Sequence, residues 1–347
     1  ADCYRQLLDG NLRRTALELW LTSLCPAVFA DAASIDEYRS GLFSRLKQML
    51  DGGATLDPSE ISTLGSPIPY NLQFHGRNDR PLKEAFATLV GRSIAAPPAL
   101  KRNGPPRVGF VVTTGHEGAF LRYLRESIVG MNGAKFERVV VCTRHSADTL
   151  SRGIGDASVR YLTLPDDFSE AIAAIRGADF AVLYHWEVGS DVWNYFLPFY
   201  RLAPVQCTSA GLPVTTGIPA MNYFLSDDIA EPHDAERHYS ERLLRAASPL
   251  SCQRRMTLPP NRKTRADFGF SSDDHLYVCA QKIEKFHPDF DALLGEILRR
   301  DERGRIVIPR DKGGYRARKL QRRLATTIAD VVERIVFVPR LDVGNYL

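Results

Sequence analysis

At 347 residues, 44% hydrophobic and 25% charged, the chain has the composition of a globular protein long enough for two domains. Lysine and arginine number 45 against 41 aspartates and glutamates, a net charge of +4 that excludes a strongly basic nucleic-acid binder but suits a small anionic ligand. No stretch is long and apolar enough to span a membrane, and no segment reads as a secretory leader.

The first hundred residues read as helical. In "SIDEYRSGLFSRLKQMLDGG" Ser34 is placed to cap, Glu37 stands three residues on, and Gly52 is placed to end the helix. Ile35, Tyr38, Leu42, Leu46 and Met49 then share one face. A second start signal falls at Asp57–Glu60, and Pro81 opens a further short helix. The stretch from Ala96 to Pro106 reads as a linker.

The texture then changes. "VGFVVTT" (Val108–Thr114) is a continuous apolar run, as a parallel strand buried on both faces should be. A helix over Ala119–Met131, strands at Arg138–Thr143 and Val159–Leu164, and a helix over Phe168–Ala178 follow. A strand at Asp179–His185, a helix from Asp191 and a strand at Ala203–Thr208 continue the rhythm. That alternation predicts a doubly wound parallel sheet.

After an irregular basic link, roughly Ser248–Ser272, the alternation resumes with strand, helix, strand, helix and strand up to Arg340. The expected organisation is thus a helical region over 1–100, a Rossmann-like domain over 101–247 and a partial second one over 248–347. Three strands in that last unit, and an alanine rather than methionine at position 1, suggest a piece of a longer protein. Such a piece is expected to be inactive alone.

Cys3, Cys25, Cys142, Cys207, Cys252 and Cys279 form no CxxC pair, and three of them lie in strand-like runs. This is the usage of reduced thiols in a cytoplasmic protein. The histidines show no metal-ligand spacing, so no metal site is expected. Gly115-x-x-Gly118 is too short for a dinucleotide fingerprint.

Three stretches in order carry a resemblance. They are "RVGFVVTTGHEGAFLRYLRESIVGMNGAKFERVVVCTR", "RLAPVQCTSAGLPVTTGIPAMNYFLSDD" with "HYSERLLR" after it, and "VCAQKIEKFHPDF". Together they resemble the catalytic region of O-linked N-acetylglucosamine transferases and the SPINDLY-type group, in a bacterial-type member. The resemblance implies a GT-B fold, two Rossmann-like α/β domains behind a helical region. It also implies a nucleotide-sugar donor, UDP-GlcNAc above all, a protein Ser/Thr acceptor, and no metal or other cofactor.

The site residues follow from both readings. His116 lies just past the first strand and before a helix, at the crevice end of a parallel sheet, and matches the family's loop histidine. It is expected to act as a base or to position substrate, with Gly115 beside it. The family's animal members carry a second histidine four residues on, where this chain has Phe120. Lys285 matches the lysine that meets the donor diphosphate, with Lys282 as a competitor and Gln281 as a further donor contact. The loop carrying Gly211, Pro213, Thr215, Thr216 and Gly217 is expected to face sugar and acceptor, although Leu212 replaces a frequent aromatic. His185, at a strand end beside Glu187, is either a substrate contact or a packed core histidine.

The expected function is a cytoplasmic, metal-independent glycosyltransferase with a protein or peptide acceptor and neither nucleic-acid nor membrane partner. Two alternatives stand beside it: a non-catalytic protein-binding module on a degenerate scaffold, and the same fold working with GDP-fucose, UDP-glucose or a glycan acceptor.

Overall fold

The computed structural model describes residues 14–56, 70–95, 106–251, 253 and 263–340. The start signal at 57–60 and nearly all of the linker lie outside them. The chain divides into two compact units. One comprises Ala1–Leu24, Leu42–Tyr70 and Asn78–Arg254, and the other Cys25–Gly41, Asn71–Arg77 and Arg255–Leu347. The helical front end therefore contributes to both.

It supplies α1 (Arg14–Ser23), α2 (Ala32–Asp51) and α3 (Arg80–Gly91). Ile35, Leu42, Leu46 and Met49 are buried along α2, at the predicted spacing. Its cap differs from the expectation. Asp31 accepts from the Ser34 N–H at 2.7 Å, and the Ser34 hydroxyl accepts from the Asp31 N–H at 3.2 Å, so Asp31 caps and Ser34 completes the box. At the other end Gly53, not Gly52, takes the left-handed conformation, with φ 70°.

Among the described residues of the first unit, seven parallel strands form a sheet in the order β3-β2-β1-β4-β5-β6-β7. The strands are β1 (Arg107–Val112), β2 (Glu137–Thr143), β3 (Arg160–Leu164), β4 (Val182–His185), β5 (Val205–Ser209), β6 (Tyr223–Asp227) and β7 (Arg242–Ala246). Between them run α4 (Glu117–Gly130), α5 (Arg144–Ile154), α6 (Phe168–Gly177) and α7 (Val192–Phe196). β1 and β2 are buried almost throughout, which is why both read as unbroken apolar runs. Phe110, Val140, Leu150, Ile154 and Trp186 build the core of this sheet. The direction of winding reverses between β1 and β4, which pair with each other in register from Val108↔Val182 to Val111↔His185. In open parallel sheets, ligands sit at the carboxyl ends of such a strand pair.

Among its described residues the second unit holds a three-stranded parallel sheet, β10-β9-β8, built from β8 (His275–Val278), β9 (Gly304–Pro309) and β10 (Ile335–Val338). Helices α8 (Phe290–Arg300) and α9 (Tyr315–Thr327) bury Leu294, Leu298, Leu320 and Leu324 against it. The last of these helices ends at Thr327. No helix among the described residues is long and apolar enough to cross a membrane.

Candidate active site

Two loops leave the reversal point together. Trp186 N–H donates to Val111 O at 3.0 Å, so the segments after β1 and β4 depart at the same height. The first carries Thr113, Gly115 and His116, and the second carries Glu187, Ser190 and Asp191. His116 Nδ1 lies 2.5 Å from a Glu187 carboxylate oxygen, and its Nε2 lies 3.3 Å from Asp191 Oδ2 and 3.2 Å from Ser190 Oγ. Both ring nitrogens thus face carboxylates.

Each partner is fixed in turn. Asp191 caps α7 by accepting from Asn194 N–H at 3.0 Å, and the Thr113 hydroxyl also donates to it. The Asn194 amide donates to Ser190 Oγ at 2.6 Å. Glu187 holds φ at 52°, a left-handed conformation that a non-glycine residue adopts at a cost of about 1–2 kcal/mol. The Gly115 N–H donates to the Glu117 carboxylate at 3.0 Å from the first turn of α4, and Ser146 donates to the same group.

The electrostatics follow from this geometry. Burial works to lower the His116 pKa, but hydrogen bonds to Asp191 and Glu187 and their charges outweigh it and raise it to about 9. Burial likewise opposes ionisation of Asp191, and the bonds from His116, Thr113 and the Asn194 N–H reverse that and hold it below the usual carboxylate range. His116 is therefore an imidazolium near neutral pH, a donor rather than a ready base.

The second loop named from the sequence has two ends with different characters. Gly211 packs on the Trp186 ring and Glu187, and a methyl added there would stand 3.0 Å from Glu187 Cγ. Pro213 is exposed, while Thr215, Thr216 and Gly217 are buried. The threonine hydroxyls point inward to Glu241, a residue the sequence reading passed over. Phe120, at the place of the second family histidine, is wholly buried and meets Trp186 edge-on at 6.1 Å.

His185 lies at the end of β4 with no exposed surface, its Nε2 3.3 Å from Gln206 Oε1. Burial lowers its pKa to about 4 against the opposing Gln206 bond, so it is a neutral core histidine. Lys285 and Gln281 belong to the second unit and are exposed. Lys285 closes a short 3-10 turn, Ile283–Lys285, and its ammonium stands 5.5 Å from the centre of the Phe74 ring. Among the described residues no group of three or more His, Cys, Asp or Glu side chains is arranged to hold a metal ion.

Glu187 and Asp191 are the principal site residues that sequence reasoning missed. They lie 71 and 75 positions from His116, and only the pairing of β1 with β4 joins them. A usable signal existed, because both acids follow a strand at the predicted crevice end.

No protein-family profile matches the chain. The probable UDP-N-acetylglucosamine–peptide N-acetylglucosaminyltransferase SEC of Arabidopsis thaliana is 28% identical over 235 residues, 62% of this chain and 24% of that protein. The SPINDLY protein of Solanum lycopersicum, described as the same kind of transferase, is 40% identical over 52 residues, 15% of this chain and 6% of its own. The chain thus spans a quarter or less of the length of these curated relatives. Among solved structures, a mutant of the O-GlcNAc transferase of Thermobaculum terrenum matches with a TM-score of 0.66 at 18% identity, over 98% of this chain and 64% of that one.

Parallel α/β sheets behind helical segments, with a histidine–carboxylate group where the winding reverses, give the chain the GT-B glycosyltransferase fold. Within that fold, parts of its sequence are similar to the SEC and SPINDLY proteins.

Proposed function

We propose that the protein is a glycosyltransferase that moves N-acetylglucosamine from UDP-GlcNAc onto a serine or threonine hydroxyl of a protein, in the cytoplasm and without a metal ion. The observation that carries this reading is the His116–Glu187–Asp191 group at the reversal point of the first sheet. The names of the relatives support the donor and acceptor classes.

In the reaction the acceptor oxygen bonds to the anomeric carbon as the bond from that carbon to the β-phosphate oxygen breaks. UDP leaves with the bonding pair. His116 already holds a proton on each nitrogen, so its role is to donate to a substrate oxygen. The Asp191 contact at 3.3 Å is the longer of its two carboxylate contacts, and a ligand oxygen replaces it most readily. The hydroxyl proton passes to the Asp191 carboxylate, freed when the ligand oxygen takes its place on His116. Gly115 leaves the approach open, since nothing stands within 4 Å of where a side chain would begin. Lys285 is a compact, mobile cation suited to the charge that grows on the departing diphosphate.

The test is release of UDP and transfer of labelled sugar to a Ser/Thr peptide by the full-length protein, with UDP-glucose and GDP-fucose run in parallel. Transfer from UDP-GlcNAc that requires His116 supports the reading. Transfer from another donor alone replaces the sugar. Peptide binding with no turnover of any donor makes the chain a binding module.

A further inference from the structure

Glu241 stands 26 residues beyond Thr215 in sequence and is buried, with 6% of its surface exposed. Its carboxylate accepts the Thr215 hydroxyl at 2.6 Å, the Thr216 N–H at 2.8 Å and the Thr216 hydroxyl. Those hydroxyl oxygens accept in turn. Thr215 Oγ1 takes the Ser240 N–H at 3.0 Å and the Gly217 N–H at 3.3 Å, and Thr216 Oγ1 takes the Ile218 N–H at 3.1 Å. One carboxylate therefore fixes four consecutive residues of the loop. Buried and fully used in this way, it is far more than an exposed charge.

The opposite side of the loop is closed by α3. Gly217 holds φ at 71°, and a methyl there would stand 2.4 Å from the Lys83 carbonyl carbon. The Lys83 side chain is itself buried, and burial lowers its pKa against the opposing charges of Asp79 and Glu241. Its ammonium lies 3.7 Å from where a side chain at Gly189 would begin, on the turn between Glu187 and Asp191. At its other end the loop brings Gly211 against Glu187, and Glu187 holds His116. The loop backbone thus links Glu241, bound at Thr215 and Thr216, to Gly211 beside Glu187, which contacts His116.

We propose that Glu241 is a positioning residue that locks the 211–217 loop between itself and α3 and thereby sets the placement of Glu187 on His116. Its link to catalysis rests on the function proposed above, whereas its effect on the loop and on His116 does not. Glutamine at 241 keeps one acceptor oxygen for Thr216. Its amide is a donor facing Thr215 Oγ1, which already accepts two N–H groups, so the loop loosens at Thr215.

The experiment compares Glu241→Gln, Thr215→Val and the double variant in the full-length protein, with three readouts. They are hydrogen exchange at the Thr216 and Gly217 amides, the NMR titration of the His116 ring, and transfer kinetics. Thr215→Val removes the same bond without touching a buried charge, which guards against a variant that fails to fold. Expected are faster exchange at 216 and 217, a displaced His116 titration, and turnover lower by about ten- to a hundredfold with KM for the donor within about twofold. The two single effects should also fail to add in the double variant. Faster exchange with an unmoved His116 titration and unchanged turnover overturns the proposal, as do additive effects. A displaced titration in a protein that transfers no sugar keeps the positioning role and removes the functional reading instead.

Discussion

Glu187 reaches His116 from a left-handed backbone, with φ at 52° and a 2.5 Å contact to Nδ1. A strained acid in direct contact with a cation is held there by its surroundings: the Trp186 N–H on Val111 before it and the Asp191 cap after it. The charge state of the pair is measurable.

The His116 ring should therefore titrate near pH 9 by NMR, well above the usual imidazole value near 6.5. The sign for stability follows. A histidine whose pKa is raised on folding contributes in full below its unfolded value and loses that contribution as pH rises through the folded one. The stabilisation should fade between about pH 6.5 and 9, and Glu187→Gln should flatten that part of the curve. A ring that titrates near 6.5 would refute the doubly paired arrangement.

If the imidazolium positions substrate, His116→Ala should lower turnover by about a hundredfold, in the range of a single positioned acid or base. Single-turnover and steady-state kinetics of the full-length protein separate this from binding. Donor KM should change far less than turnover. A variant with ordinary turnover and a lowered melting temperature would make His116 a structural residue.

The fold was largely legible in the chain, for reasons visible in particular elements. β1 and β2 are buried on both faces, so hydrophobicity alone betrays them. α5 escaped because Ser146, Leu150 and Ile154 are its only fully buried positions, in an otherwise polar segment. β7 escaped because "RLLRA" is an edge strand with no buried residue, and its strand character comes only from pairing with β6. The site divides in the same way. His116 sat at a recognisable strand end, whereas Glu187, Asp191 and Glu241 are joined to their partners by topology, which no local pattern encodes. The threonines of the 211–217 loop read as hydroxyls open to a ligand, and only the fold shows them turned inward.

Gly217 and Gly115 make a matched test of that loop, since both have positive φ, at 71° and 91°. Alanine at 115 meets only the left-handed strain, about 1–2 kcal/mol, because no atom lies within 4 Å. Alanine at 217 adds a collision with the Lys83 backbone and should lose about 3 kcal/mol or more. Chemical denaturation of the two variants side by side gives the ranking. Equal losses would mean the loop does not pack on α3 as described.

Lys285 and Lys282 bracket one turn of the second unit, and turnover should tell them apart. Loss of a preorganised donor to a developing oxyanion typically slows a reaction about a hundred- to a thousandfold. Lys285→Ala in the full-length protein should show that loss, and Lys285→Arg should recover part of it, since a planar fork replaces a point charge. Lys282→Ala should stay within about threefold of wild type, because Lys282 precedes the matched lysine by one turn. A crippled Lys282→Ala beside an active Lys285→Ala would shift the diphosphate role by three residues.

The second unit offers a prediction independent of any activity. Arg323 on α9 is buried and grips Asp291 on α8 with two bonds, at 2.9 and 2.8 Å. Two of its other N–H groups donate to the carbonyls of Phe29 at 2.9 Å and Phe286 at 3.0 Å, and the Thr327 hydroxyl also donates to Asp291 at 3.0 Å. One guanidinium thereby joins both helices, the turn after Lys285 and the segment around Phe29. Arg323→Met keeps the bulk but leaves Asp291 buried without its cation, a change that typically costs about 3–5 kcal/mol. Arg323→Lys should rescue little, because a single ammonium cannot serve a carboxylate and two carbonyls in fixed directions. Replacing both partners, with Met at 323 and Leu at 291, removes the stranded charge and should regain much of the loss. Thermal or urea unfolding of the three variants decides it. If Arg323→Met is as stable as the original, the pair contributes nothing net, and the apolar contacts of Leu294, Leu298, Leu320 and Leu324 alone hold α8 and α9 to the sheet.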